Sequence, residues 1–301
     1  IDEAILFFDD KKLLNLFNLK GEVYSIPFTF DLKKQTYFKK TKEINFIAKQ
    51  LKLHILDKSI KKKDNSITGK NTISFMNSTI NTIYDFKDKL VIFTSANSKI
   101  KDYKFNYNGE LSINPFNLNL NIDLGNHKIS KLFDINSILT ELVKTELLFN
   151  DNISVKISMV ADSNIKNEIF QNAKINFNIV NGKINLDNTK FTNNGIGSLK
   201  LNNSNIFLDD NNLILNTNIL VDIKNSKKFY TYLNTNKSSR KDIYKILINL
   251  DYNFLNNEVT LNNIEVDNNN LRNQLFDIIE KFNKNNPNNT NKSRRIINEM
   301  L

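Results

Sequence analysis

The chain of 301 residues contains no Cys, no Trp and only two His, so it is poor in the side chains that usually act as nucleophiles, metal ligands or proton shuttles near neutral pH. Its 40% hydrophobic content excludes a disordered chain, and no apolar stretch approaches the roughly 20 residues of a membrane-spanning helix. The net charge of +10 favours anionic partners. Abundant Asn, Ile, Lys and Phe with few Gly and Pro also indicate a compositional bias, which would leave much of the lysine excess on solvated surfaces.

The sequence starts at Ile1, without Met, and residues 4–8 already form an apolar run. From this start we expect an upstream targeting or anchoring segment outside the sequence.

Residues 21–124 alternate apolar and polar positions and predict one strand after another. Because strand side chains point to opposite faces with period two, residues 117–124 place Leu118, Leu120 and Ile122 on one face and Asn and Asp on the other. Several predicted strands exceed the usual length of about 5 or 6 residues, which favours an extended meander or groove over a compact sandwich. The predicted strands are residues 22–32, 44–56, 67–80, 90–98, 105–111 and 117–124.

After Ile129 the spacing changes, and apolar residues recur at steps of three and four. This periodicity predicts an amphipathic helix at about residues 131–148, which we expect to pack against the sheet or to plug one end of it. A shorter helix is predicted over residues 226–233, where Phe229, Tyr230 and Leu233 share a face.

Strands resume beyond the first helix, with short connections rich in Asn, Asp and Gly. Asn181-Gly182 is a strong two-residue hairpin signal, because both residues tolerate a positive φ angle. Residues 209–212 and 256–257 predict turns for the same reason. The predicted strands are residues 153–161, 173–180, 183–186, 197–201, 205–208, 213–223, 244–254 and 259–266.

The C-terminal part differs from the rest of the chain. Residues 1–268 read as one β-rich region, residues 269–284 predict a final amphipathic helix, and residues 285–301 form a polar, Asn-rich linker and tail.

Two segments, residues 109–116 (GELSINPF) and residues 179–187 (IVNGKINLD), with the helix predicted between them, resemble the C-terminal region of AsmA-like proteins. Residues 194–201 (NGIGSLKL) are similar to the glycine-containing start of a strand in that family. Residues 229–233 (FYTYL), followed by Ser239-Arg240-Lys241, resemble its late short helix and basic pair. The resemblance covers about residues 21–266.

This resemblance implies a mainly β fold, an elongated and twisted antiparallel sheet or groove built from consecutive long hairpins with a few amphipathic helices. It further implies a periplasmic protein of the bacterial cell envelope, anchored in the inner membrane by a segment that this sequence does not contain. Such a protein would bind acyl chains in a hydrophobic groove, for phospholipid transfer between membranes or outer-membrane assembly. Its partners would be phospholipid or another acyl lipid, bacterial membranes and other envelope proteins.

One parity of the clear strands supplies the candidate lipid-lining residues. The same alternation fits an ordinary closed core, in which case the protein would be a structural or interaction scaffold of the envelope. The candidates are Leu118, Leu120, Ile122, Ile175, Phe177, Ile179, Leu213, Leu215, Ile219, Val221, Ile248, Leu250 and Val259.

Little in the sequence predicts catalysis, so we expect a non-enzymatic protein without cofactor or metal. His54 and His127 are far apart and lack further ligands at metal-binding spacing. The adjacent carboxylates Asp9-Asp10 and Asp209-Asp210 point to opposite sides of an extended chain and suit turns better than a glycosidase pair. An all-β carbohydrate-active enzyme, with carboxylates converging from distant strands, is the third hypothesis.

Two basic clusters suit either solvated surfaces or contact with anionic lipid headgroups. Nucleic acid is not an expected partner, because the aromatic residues follow the apolar positions instead of mixing with the basic ones. The clusters are Lys61, Lys62 and Lys63, and the group Lys224, Lys227, Lys228, Lys237, Arg240 and Lys241 around the short helix.

Overall fold

The computed structural model describes residues 1–23, 25–37, 40–95, 97–100, 103–130, 149–165, 168–209, 212–256, 258–267, 269–270 and 280. The chain divides into two compact units, Ile1–Gly125 (unit 1) and Asn126–Leu301 (unit 2). The helix predicted at residues 131–148 and the linker and tail predicted at residues 285–301 lie outside the described residues.

Unit 1 is an antiparallel sheet in which strands pair with the next along the chain, except Leu90–Ser95 and Ser98–Ile100, which do not pair with each other. The short strand β9 continues the line of β8, and both lie between β7 and β10. The strands are β1 Glu3–Asp9, β2 Leu14–Val23, β3 Ile26–Gln35, β4 Thr41–Ala48, β5 Leu53–Lys61, β6 Ile67–Phe75, β7 Ser78–Lys87, β8 Leu90–Ser95, β9 Ser98–Ile100, β10 Tyr103–Ile113 and β11 Phe116–Asn126.

Three strands predicted from the sequence are wrong in length, because each contains a hairpin turn. Residues 22–32, 44–56 and 67–80 are each divided between two strands. The turns contain Ser25, Lys52 and Met76 at φ angles of 62°, 50° and 51°, the left-handed region that usually signals Gly or Asn. The strands β1 and β2 were not predicted as such. Residues 90–98 are likewise interrupted, between β8 and β9.

Unit 2 is also built from consecutive antiparallel strands, and its described residues include one α-helix. The predicted strands 197–201 and 205–208 form a single strand, β16, with an irregularity between Asn202 and Asn205. The elements are β12 Ser154–Asp162, β13 Asn172–Val180, β14 Lys183–Asn185, β15 Lys190–Asn193, β16 Gly197–Asp209, β17 Asn212–Ile223, α1 Ser226–Leu233, β18 Lys245–Asn253, β19 Glu258–Val266 and β20 Asn269–Asn270. Residues 269–270 are thus a strand and not the start of the predicted final helix.

Two local elements predicted in unit 2, a hairpin turn and a short helix, are confirmed. Asn181 and Gly182 have φ angles of 50° and 66° and close the hairpin from β13 to β14. The predicted helix 226–233 is confirmed as α1, whose N-cap Asn225 accepts a hydrogen bond from the backbone N–H of Lys228 at 2.9 Å. The mainly β, antiparallel fold of consecutive hairpins is therefore confirmed, with one α-helix among the described elements.

The helix α1 closes a core at one side of unit 2. Tyr230 and Leu233 on α1 are buried, at 1% and 4% exposure. Tyr230 belongs to the same cluster as Ile223, Ile246 and Ile264 from β17, β18 and β19. This part of unit 2 is a packed hydrophobic core of the ordinary kind.

Candidate functional site

The sheet of unit 1 has one face that is predominantly apolar, which we call the apolar face. Residues directly opposite each other in antiparallel strands share a face, so the register traces this surface from β1 to β11. The pairs Leu6↔Phe17, Phe17↔Leu32 and Leu32↔Ile44 connect the first four strands. The apolar face comprises Ala4, Leu6, Phe8, Phe17, Leu19, Phe28, Phe30, Leu32, Ile44, Phe46, Leu53, Ile55, Ile67, Ile73, Phe75, Ile80, Tyr84, Phe86, Val91, Phe93, Phe105, Tyr107, Leu111, Leu118, Leu120, Ile122 and Leu124.

Aromatic rings follow one another on this face. The ring of Phe28 stacks on that of Phe46 with centroids 5.5 Å apart, and Phe17 meets Phe30 edge-on at 6.2 Å. Farther along, Phe105 stacks on Tyr107 at 5.8 Å. Rings packed in this way bury a large area against each other while their outer surfaces stay available for contact.

The apolar face remains partly exposed. Among the described residues of unit 1, Ala48 is the only apolar side chain that is fully buried, at 2% exposure, whereas unit 2 supplies all the other fully buried apolar residues. Most aromatic and aliphatic side chains of the apolar face are half-buried, and Leu6 on β1 is 78% exposed. A sheet face of this composition is available to a ligand.

The opposite face of unit 1 is mostly polar and internally paired. Asp31 accepts hydrogen bonds from the side-chain amides of Asn18 and Asn45 at 2.6 and 3.2 Å. His54 Nε2 lies 2.7 Å from Asn45 Oδ1, and Glu43 forms ion pairs with Lys58 at 3.2 Å and with its cross-strand partner Lys33 at 3.8 Å. His54 therefore belongs to a surface polar network.

The apolar face also contains polar residues, among them Lys42, Asp57 and Asn71. Tyr84 donates a hydrogen bond to the carboxylate of Asp57, two strands away, and its ring lies over Gly69 on β6. Burial and then the Asp57 carboxylate raise the pKa of Tyr84 to about 12. The phenol therefore stays protonated near neutral pH and keeps Asp57 satisfied beside the surrounding apolar side chains.

Clefts lie on both faces of unit 1. One of about 450 Å³ on the apolar face is walled by Phe86, Val91 and Phe93. Another, of about 610 Å³, is lined mainly from the polar face, where Leu14 and Ile83 are among its apolar residues. Both clefts mix polar and apolar side chains, and the one on the apolar face also contains Lys42, Asp57 and Asn71.

The candidate lining residues of unit 2 share one face, as their parity predicted. The register pairs Leu215 with Ile206, Ile219 with Leu201 and Ile248 with Ile219. The ten candidates that the pairings place together are Ile175, Phe177, Ile179, Leu213, Leu215, Ile219, Val221, Ile248, Leu250 and Val259.

Some of the candidates in unit 2 are more deeply buried than those in unit 1. Phe177, Ile179 and Leu213 are fully buried, at 7%, 0% and 2% exposure. Val221, Ile248 and Leu250 pack against the core cluster that includes Tyr230 of α1. Ile175, Leu215, Ile219 and Val259 are half-buried, as are Leu118, Leu120 and Ile122 on β11 of unit 1.

In unit 1 only Leu118, Leu120 and Ile122 were candidates from the sequence, and the other residues of the apolar face were not identified. The signal was present, because residues 28–32 (FTFDL) alternate in the same way as β11. The undetected turns obscured it, since they made two strands look like one.

No catalytic constellation is evident in the described residues. Within those ranges, no three His, Asp or Glu side chains converge in the way that metal ligands do. Burial lowers the pKa of His127, while the negative charge of Glu168 acts in the opposite direction. Asp9 accepts hydrogen bonds from the backbone N–H groups of Lys11 and Lys12, so it closes the turn between β1 and β2.

Among the residues that the structure describes, no helix combines the length and the hydrophobicity needed to cross a bilayer.

No family model, characterised protein or solved structure matches this chain.

Proposed function

We propose that this protein is a non-enzymatic lipid-binding protein that holds acyl chains on the apolar face of unit 1. The single observation that carries the proposal is the apolar face itself, where aliphatic and aromatic side chains follow one another across successive antiparallel strands. Among the described residues of unit 1, only one apolar side chain is fully buried. The polar residues on the reverse of the same strands keep such a sheet hydrated.

The physical need for such a surface is large. Moving one methylene group from hydrocarbon into water costs about 0.8 kcal/mol, so a chain of roughly 16 carbons resists exposure by about 12 kcal/mol. A row of half-buried Phe, Ile and Leu side chains offsets this because contact removes apolar surface of both partners from water. A lipid bound there exposes less of its tail to water.

The proposal includes a cellular setting, which rests on the resemblance of residues 21–266 to AsmA-like proteins. In that setting the protein acts in the periplasm of the bacterial envelope, attached to the inner membrane, and serves phospholipid transfer between membranes or outer-membrane assembly. Envelope proteins would be its partners.

A second candidate function is an interaction scaffold, and the packed core beneath α1 favours it. Tyr230 and Leu233 fill the face of unit 2 with the chain's own side chains. In a scaffold the apolar face of unit 1 would contact protein instead of lipid.

Photo-crosslinking distinguishes the two functions. A benzophenone amino acid replaces Phe93 on the apolar face or, as the matched control, its neighbour Ile92, which points to the opposite face and is 57% exposed. After expression in a bacterium and irradiation, we expect the mass of a phospholipid adduct for Phe93 and none for Ile92. Protein adducts without lipid at Phe93 would favour the scaffold, and equal lipid labelling at both positions would contradict binding by one face.

A further inference from the structure

Four lysines line a cleft at one end of strands β3, β4 and β5, which we call the basic cleft. Its volume is about 490 Å³, and no Asp or Glu is among the residues that line it. The side chains of all four lysines are exposed. They are Lys34, Lys40, Lys42 and Lys61.

The strand register explains why these charges meet. Lys34 on β3 is directly opposite Lys42 on β4, and the backbone N–H of Lys61 donates to the carbonyl oxygen of Lys40 at 3.0 Å. Two like charges directly opposite each other destabilise a sheet. Among the described residues, no carboxylate lies within ion-pair distance of Lys34 or Lys42.

On the polar face of the same strands, a carboxylate neutralises the lysine charges. There Glu43, next to Lys42 in the chain, pairs with both Lys33 and Lys58. Lys33 and Lys58 thus have a carboxylate between them within the sheet. Lys34 and Lys42, in contrast, are directly opposite each other. A bound anion would relieve this repulsion.

The basic cleft adjoins the apolar face. It shares Lys42, Ser59 and Ile67 with the cleft of about 450 Å³ whose walls include Phe86 and Phe93. Ser59 is 7% exposed and places a hydroxyl group where the two clefts meet. Positive charge and apolar surface are therefore contiguous, as an amphipathic ligand with an anionic end requires.

We propose that the basic cleft binds the phosphate group of an anionic phospholipid whose acyl chains lie on the apolar face; this inference rests on the proposed function. Lysine ammonium groups bind phosphate oxygens as point charges, and their aliphatic stems cover apolar surface. The headgroup carries no positively charged group, because the four lysines of the basic cleft would repel an ammonium group. Asp57, the carboxylate in the adjoining cleft, is already held by Tyr84.

The test compares two lipids with identical fluorescent acyl chains, phosphatidylglycerol and diacylglycerol, bound to the whole chain. The variant is Lys34→Gln/Lys42→Gln. The matched control is Lys99→Gln/Lys104→Gln, which removes two lysines that are also directly opposite each other but lie on the polar face. Inorganic phosphate and glycerol 3-phosphate serve as competitors without chains.

For the wild type we expect tighter binding of phosphatidylglycerol than of diacylglycerol. Loss of both cleft lysines should weaken phosphatidylglycerol binding about 30-fold, since each lysine near an anionic lipid contributes about a factor of five to ten. Diacylglycerol binding should not change, the control should bind both lipids like the wild type, and the competitors should displace phosphatidylglycerol only at far higher concentration.

Three results would overturn parts of this account separately. Equal binding of both lipids by wild type and variant would remove the phosphate site while leaving acyl-chain binding intact. Displacement by glycerol 3-phosphate at the concentration of the lipid would make the ligand a soluble phosphate. Failure of the wild type to bind diacylglycerol or phosphatidylglycerol would instead overturn the proposed function.

Discussion

Tyr84 donates a hydrogen bond to the carboxylate of Asp57, with its Oη atom 3.0 Å from Oδ1 and 3.1 Å from Oδ2, and so connects β7 to β5 across β6. The ring crosses β6 above Gly69, where a Cβ atom would lie 2.3 Å from Tyr84 Cζ. Only a residue without a side chain permits this crossing. The arrangement satisfies a carboxylate on a predominantly apolar surface.

The first prediction concerns the pH dependence of unfolding. The pKa of Tyr84 is raised from 10.0 to about 12 in the folded protein, by burial first and then by Asp57. A group whose pKa is higher in the folded state stabilises the fold fully below its unfolded pKa and ceases to do so as the pH rises through its folded pKa. The contribution of Tyr84 should therefore be complete below pH 10 and lost between pH 10 and 12.

The variant Tyr84→Phe isolates this contribution. At neutral pH we expect it to lower the free energy of unfolding by about 1 kcal/mol, the net value of a hydrogen bond. In urea titrations approaching pH 12, wild type and variant should converge. Parallel curves at all pH values would show that Tyr84 does not titrate in this way.

The second prediction concerns Gly69. In the variant Gly69→Ala the new methyl group displaces the Tyr84 ring, so we expect a loss of about 1 to 3 kcal/mol of stability. The loss should shrink when residue 84 is already Ala, because the clash is then absent. Gly125→Ala is the control: its φ angle of 54° disfavours Ala, but no atom lies within 4 Å of the added Cβ. Its cost should not depend on residue 84.

The third prediction separates stability from ligand binding at the basic cleft. Lys42→Glu places a negative charge directly opposite Lys34, so the free energy of unfolding should rise by a few tenths of a kcal/mol. Binding of phosphatidylglycerol should weaken at the same time. Lys99→Glu, opposite Lys104 on the polar face, should give the same small stabilisation without loss of binding. If Lys42→Glu left binding intact, the basic cleft would not be the headgroup site.

The fourth prediction contrasts the apolar surfaces of the two units. Phe177→Asp introduces a carboxylate at a position with 7% exposure, so we expect a loss of more than about 4 kcal/mol and unfolding of unit 2. Leu120→Asp, on the half-buried face of unit 1, should cost about 1 to 2 kcal/mol and weaken acyl-lipid binding with the fold retained. Circular dichroism during thermal unfolding measures the stability of both variants. Equal destabilisation would mean that the face of unit 1 is a closed core.

The sequence determined which side chains share a face, because alternation in a strand is a local property with period two. Leu118, Leu120 and Ile122 lie together on β11, as their residue types alone predicted. Asn181-Gly182 likewise closes the hairpin from β13 to β14. The turns that contain Ser25, Lys52 and Met76 escaped prediction. Lys52 and Met76 adopt left-handed conformations that their side chains do not favour, and the hydrogen bonds of the strands on either side hold them there.

Only the tertiary structure decided which apolar faces are filled and which charges meet. Phe177 and Leu120 both occupy apolar positions of alternating strands, yet one is buried and the other half-buried, because burial depends on segments distant in sequence. Lys34 and Lys42 are each unremarkable in the sequence. The turn between β3 and β4 sets them opposite each other, and the register places that pair on the apolar side of the sheet.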